Sequence, residues 1–213
     1  MANSTFNNLD KKKQNRIFTA ALREFSEKGY AGASINRIVT DLGIAKGSIF
    51  QYFGDKEGLF TFVVLRSLEM VKDHLKSVRD ETINDDFFSR IERLFTSGVS
   101  FLRKHPRIYG LYTRILYEGN LKFISRLLNA IRAESYQFLS EMIQLGIKRG
   151  EVRNNIDLTC AAFLLDSVLD RFLQAFMLEH FGQHPGIYRA HEGDIYHWAT
   201  NLVGLLREGM AAK

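Results

Sequence analysis

An all-α fold is predicted by three features of the chain. Only two prolines, Pro106 and Pro185, occur in 213 residues. Apolar residues recur at i, i+3, i+4 and i+7 through most of the sequence, the spacing that lays one stripe along a helix. Glycine and short polar residues stand where those periodic segments begin and end, as helix stops and N-caps do. Nine helices are expected, three in an N-terminal unit over residues 1–54 and six in a larger body over residues 55–213.

The first helix is expected from about Asp10 to Lys28. Ile17, Ala21 and Phe25 form its stripe, Phe18 and Leu22 widen it, and Gly29 ends it. Ser34 is a natural N-cap for a two-turn helix whose Ile35, Ile38, Val39 and Leu42 share one face, and Gly43 supplies the left-handed residue that closes it. Ala45 to Phe53 make a second short helix that buries Ile49 and Phe53 and turns Lys46, Gly47, Ser48, Phe50, Gln51 and Tyr52 elsewhere. Two short helices meeting at a tight turn have the form of a helix-turn-helix whose second helix is the reader.

Gly54-Asp55 is a stop and restart, with Asp55 capping a long helix to about Arg79. Asn84 or Asp85 opens the next, which carries Phe88, Ile91, Leu94, Phe95 and Phe101 and stops at His105-Pro106, because the residue before proline is pushed out of the helical region. Pro106 then serves as the first position of a helix ending at Gly119-Asn120. Leu121 to about Arg149 form a long helix stopped by Gly150. Asp157 opens a very apolar helix to about Phe181, and after the loop 182–186 an amphipathic helix spans roughly Glu192 to Met210.

Composition limits the function classes. With 46% hydrophobic and 25% charged residues the chain is an ordinary globular one, and runs such as 59–65 and 158–165 fall far short of the roughly 20 apolar residues a bilayer span needs. The N-terminus has no apolar core of a secretory signal before Lys11-Lys12-Lys13, so a cytoplasmic location is expected. Cys160 has no intrachain partner and is expected buried and inert. Residues 1–60 hold nine Lys or Arg against six acids, +3 of the chain's +5, which fits a polyanion partner for the N-terminal unit.

The residues that carry a family likeness are Ala20-Ala21-Leu22-Arg23-Glu24-Phe25, Lys28-Gly29-Tyr30, Ser34 to Ile38, Leu42 to Phe53 and Asp55 to Phe60. Together they resemble the TetR family of bacterial transcriptional regulators. The resemblance implies an all-helical homodimer, an N-terminal domain on a palindromic operator half-site, and a C-terminal bundle that dimerises and binds a small effector. An effector-independent DNA-organising protein of the same fold is the rival expectation.

Carried over position by position, the resemblance gives Ser34 a phosphate contact. Ala45 opens the reader, and Lys46 in its first turn suits a phosphate, since a cation and exposed backbone donors meet there. Gly47 permits close approach to the groove, Ser48 can bond a base edge or a phosphate, and Gln51 can pair bidentately with adenine. Phe50 stands where the family often has tyrosine and keeps only packing on a sugar or a thymine methyl. Tyr52 is expected to reach the DNA backbone, and Lys56 to pair with a phosphate. Each of these residue types alone is ordinarily a solvated or core residue; their co-occurrence in one turn-bounded unit carries the reading.

In the body, Phe95, Phe101, Tyr109, Tyr112, Tyr136, Phe138 and Phe172 are candidates to line an apolar cavity for a hydrophobic or aromatic effector, an acyl chain among them. The last two helices, with Leu164, Leu165, Val168, Leu169, Leu173, Trp198, Leu202, Leu205 and Leu206, are expected to pair with their copies in a dimer. Asp166 and Asp170, one turn apart, require a cationic partner if buried, and Arg171 is adjacent in sequence. No catalytic motif appears, and the dispersed His180, His184, His191, Glu192, Asp194 and His197 straddle a loop, so neither an enzyme nor a metal or other cofactor is expected.

Overall fold

The computed structural model describes residues 4–117 and 122–212. Eleven helices are assigned among them: α1 Ser4–Asn7, α2 Lys11–Gly32, α3 Ile35–Leu42, α4 Lys46–Phe53, α5 Lys56–Glu81, α6 Phe87–Lys104, α7 Pro106–Tyr117, α8 Lys122–Lys148, α9 Leu158–Met177, α10 Glu179–Gly182 and α11 Glu192–Met210. The nine longer ones correspond to the nine expected. The predicted stop at Gly119-Asn120 and the start at Leu121 lie outside the described residues.

The chain packs as two compact units. One joins the residues up to Lys72 with His105–Ala130; the other joins Asp73–Lys104 with Ile131 onward. Helices α5 and α8 each contribute to both.

In the first unit α2 packs on α7, where Gly110 brings the helices within reach of Ser26 and Arg114 donates to the carbonyl of Glu27. Ile17, Ala21 and Phe25 are buried as their stripe predicts. The expected stop at Gly29 is a kink: Gly29 sits at φ 65°, ψ 179°, a conformation open only to glycine, and helical turns resume to Gly32. Gly43 ends α3 in the left-handed region at φ 66°, ψ 37°. Asp55 Oδ1 accepts from the N–H of Gly58 at 2.7 Å, so the predicted cap of α5 is made.

The second unit is built on Phe87, Phe88, Ile91, Phe95, Val99, Ile143, Phe172, Phe176, Ile195 and Val203, with Phe95 edge-on to Phe172 at 5.1 Å. Asp86, one or two residues later than expected, caps α6 by accepting from the N–H groups of Phe88 and Ser89. Asp157 caps α9 as predicted. Helix α9 ends at Met177, earlier than expected, because the following segment folds back on it. The N–H groups of Ile187 and Tyr188 bond the carbonyl of Gly182, and that of Arg189 bonds Phe176. A Cβ on Gly182 would stand 1.7 Å from the carbonyl oxygen of Ala175, so only glycine fits that return.

Cys160 is exposed, not buried: it lies in the first turn of α9 on the side away from the core. Its thiol is nonetheless held above the ordinary value by the negative charge of Asp157, which opposes thiolate formation.

Candidate nucleic-acid interface

Helix α4 has two faces set by its spacing. Ile49, Tyr52 and Phe53, at i, i+3 and i+4, are buried; Ala45, Lys46, Gly47, Phe50 and Gln51 are exposed, with Ser48 between the two classes. The structure therefore brings five of the predicted contact residues onto one outward surface. Phe50 is 42% exposed, a large apolar cost for a free surface, and Lys46 Nζ stands 5.8 Å from its ring. Nothing lies within 4 Å of the position a Cβ would take on Gly47, so its lack of a side chain answers no need inside the protein.

Tyr52 departs from expectation. It is 7% exposed and belongs to the inner face, because Phe6 of α1, unanticipated in the sequence, covers that face and meets the Tyr52 ring edge-on at 5.9 Å. Ser34 stands at the N-cap of α3, but its hydroxyl makes no cap bond. Its N–H instead donates to Glu24 Oε1 at 2.8 Å, an oxygen that also receives Arg37 Nε. Burial works to raise the Glu24 carboxyl, yet the Arg37 and Ser34 bonds outweigh it and hold the group below its ordinary value.

These pairs decide which cations remain for an outside anion. A shallow groove beside α3, lined by Arg23, Glu24, Asn36, Arg37 and Asp41 among others, has its two guanidinium groups occupied within the chain, Arg23 by Asp41 at 2.7 Å and Arg37 by Glu24. Arg16 Nη2 likewise donates to the carbonyl of Leu42 at 3.1 Å, holding the turn in place. Lys46 is carried outward on α4. Lys56 Nζ donates to the carbonyl of Ala31 at 3.2 Å and lies 4.8 Å above the Tyr30 ring, which fixes it at the front of α5.

Residues 17–62 match the model of the bacterial regulatory proteins of the tetR family. The Escherichia coli (strain K12) protein named "Probable acrEF/envCD operon repressor" is 26% identical over 201 residues, 90% of this chain and 84% of that one. A TetR family transcriptional regulator from Chloroflexus aurantiacus has the same fold along its whole length, with a TM-score of 0.72, 25% identity and 100% of both chains covered. Residues 17–62 are of the TetR family, and the fold of the whole chain is that of a TetR-family regulator. The chain is a DNA-binding transcriptional regulator, and the matched segment runs from within α2 through α3 and α4 to the start of α5. A further structural neighbour, the transcriptional regulator FadR from Bacillus subtilis in complex with stearoyl-CoA, shares the fold at a TM-score of 0.73 with 18% identity, covering 92% of this chain and 98% of that one.

The seven aromatic residues expected to line an effector cavity are divided between the two units. Tyr109 and Tyr112 belong to the first, their rings 6.1 Å apart. Phe95, Phe101, Tyr136, Phe138 and Phe172 belong to the second. There Phe95 and Phe172 are core, Phe101 stacks on His74 at 5.0 Å, and the Tyr136 hydroxyl donates to the carbonyl of Thr159. On α9 and α11, Leu165 and Leu206 are buried within the chain, whereas Phe163, Leu164, Tyr196 and Leu205 are exposed, Phe163 at 63% and Leu205 at 69%. Among the described residues no three His, Cys, Asp or Glu side chains gather to hold a metal ion, and no helix is long and apolar enough to cross a membrane.

Proposed function

We propose that this regulator is a cytoplasmic repressor that binds a palindromic operator as a homodimer and is released when a hydrophobic effector binds its body. Residues 1–54 are the reader and residues 55–213 the effector-binding and dimerising body. The observation that carries the reading is the outward face of α4, where Lys46, Gly47, Phe50 and Gln51 are exposed while Ile49, Tyr52 and Phe53 are spent on the core.

Gln51 reads a base through its terminal amide, and Ser48 assists. Lys46, Lys56 and Ser34 hold phosphates and set the register without reading sequence. Phe50 packs on a sugar or a thymine methyl, which accounts for the exposure of a large apolar ring. Tyr52 supports the helix from behind, and Tyr52→Phe isolates any contribution its hydroxyl makes to the DNA backbone.

The exposed Phe163, Leu164, Tyr196 and Leu205 support pairing of α9 and α11 with their copies. Two readers so joined meet successive major grooves about 34–36 Å apart. An effector in the body shifts α5 and favours a dimer of the wrong separation; operator DNA then weakens effector binding by the same factor. Stearoyl-CoA in the Bacillus subtilis neighbour supports an acyl chain as the effector class.

Selection of bound duplexes from a random pool, followed by titration of the enriched duplex with stearoyl-CoA and free long-chain fatty acid, tests this. A short palindrome whose affinity falls on adding an acyl probe is the expected result. Retention of unrelated sequences with no response to either probe identifies a DNA-organising protein instead.

A further inference from the structure

Residues 4–9 take no part in the reading face, yet they are firmly held. Phe6 is 2% exposed, and its ring lies 4.9 Å from Phe53, 4.9 Å from Phe62 and 5.9 Å from Tyr52. It thus fills the angle between the inner face of α4 and the start of α5. Gln14, one turn into α2 and itself buried, points its Nε2 at the carbonyls of Phe6 (3.3 Å), Asn7 (3.1 Å) and Leu9 (2.9 Å). A four-residue helix leaves its last carbonyls without partners inside the helix, and the buried amide supplies them. Phe6 is therefore seated by a lock on its own backbone.

Helix α4 has only eight residues, too few to hold its position by its own hydrogen bonds. Its roll about its axis is set by what its inner face packs against, and that roll aims Gln51 and Lys46 on the other side. A bidentate amide pair tolerates little rotation. We propose that residues 4–9 form a strut behind α4 and that Phe6, locked by Gln14, is a positioning residue for sequence reading. The inference rests on the assignment of α4 as the reader. Phe6 and Gln14 both precede residues 17–62, so the strut is not encoded in the segment that matches the family model.

The test compares wild type, Phe6→Ala, Phe6→Leu and Gln14→Ala as full-length protein. Each is titrated with the duplex enriched from a random pool, with single-base variants of its half-site, and with a scrambled duplex, well below each melting temperature. Phe6→Ala and Gln14→Ala are expected to bind the enriched duplex roughly tenfold more weakly, the scale of one bidentate base contact. Discrimination among single-base variants should collapse, scrambled-duplex affinity should hold, and Phe6→Leu should recover most of the loss. A lowered melting temperature with discrimination intact overturns the proposal, since Phe6 is then only core. If Phe6→Ala does not fold, Gln14→Ala, which removes no apolar core side chain, decides by the same measure. Wild type that fails to discriminate overturns the reader assignment and the strut with it; discrimination retained in the variants overturns the strut alone.

Discussion

Arg132 on α8 donates from Nη1 to Asp166 Oδ2 on α9 at 3.1 Å, and its Nη2 reaches Asp170 Oδ2 at 3.3 Å. One guanidinium so serves two carboxylates a turn apart, while Gln174 also donates to Asp170 at 2.8 Å. The neighbour in sequence, Arg171, is directed elsewhere, 4.1 Å from the Phe181 ring. The like-charge pair on α9 is reconciled by a partner 34 residues away from Asp166.

Burial raises the Asp166 carboxyl, Arg132 offsets part of this, and Asp170 adds to it. A carboxyl raised in the folded state contributes stability that is complete below its unfolded value and lost as pH rises through the folded one. Asp166→Asn, neutral at every pH, is therefore expected to melt at or above the wild-type temperature at pH 7, with the difference closing below about pH 4. Arg132→Ala should cost about 1–3 kcal/mol at pH 7, and less in acid where Asp166 is protonated. Thermal melts across pH check both.

Gly47→Ala separates fold from function. No atom lies within 4 Å of the added Cβ, and alanine gains up to about 1 kcal/mol over glycine in a helix. The variant is expected to melt no lower than wild type yet to bind operator more weakly, because the methyl meets the groove. Unchanged operator affinity in a binding titration would remove Gly47 from the interface.

Lys46→Ala and Gln51→Ala should differ in kind. Loss of a phosphate contact lowers affinity for all duplexes and reduces the salt slope by about one, whereas loss of a base contact costs about 1–3 kcal/mol and relaxes selectivity at one position. Lys56→Ala should behave as Lys46→Ala does and also lower the melting temperature, since Lys56 is bonded to Ala31 and set over Tyr30 in the free protein. Salt-dependent titrations on single-base operator variants distinguish the three.

Gly58→Ala strikes the junction between α4 and α5. A Cβ there would stand 2.0 Å from the carbonyl oxygen of Phe53, a backbone atom that cannot swing aside. Forcing the two helices apart is expected to cost about 1–3 kcal/mol and to weaken operator binding, measured by denaturant unfolding and titration on the same sample.

Much of the reader was legible because its signals are local. The stripe Ile38, Val39, Leu42, the left-handed Gly43 and the Asp55 cap need only neighbours three or four residues away, and each stands where its spacing put it. Phe6 was invisible for the opposite reason. A lone aromatic among polar residues has no period, and only contact with Tyr52, Phe53 and Phe62 gives it a role. Tyr52 was misplaced in consequence, since a helix face is buried or exposed by what covers it.

By itself, the sequence located the nine longer helices, the glycine stops at Gly43 and Gly54, the Asp55 and Asp157 caps and the tight turn between α3 and α4, all consequences of backbone preference and 3.6-residue periodicity. Tertiary structure alone decided which charges are spent inside the chain. Glu24 takes Arg37, Asp41 takes Arg23 and Arg132 takes Asp166, and no local rule pairs side chains that meet only when helices pack. It also decided that α9 stops at Met177 and that Tyr109 and Tyr112 belong to one compact unit and Phe95 and Phe172 to the other, because those outcomes depend on which distant segments come to lie together.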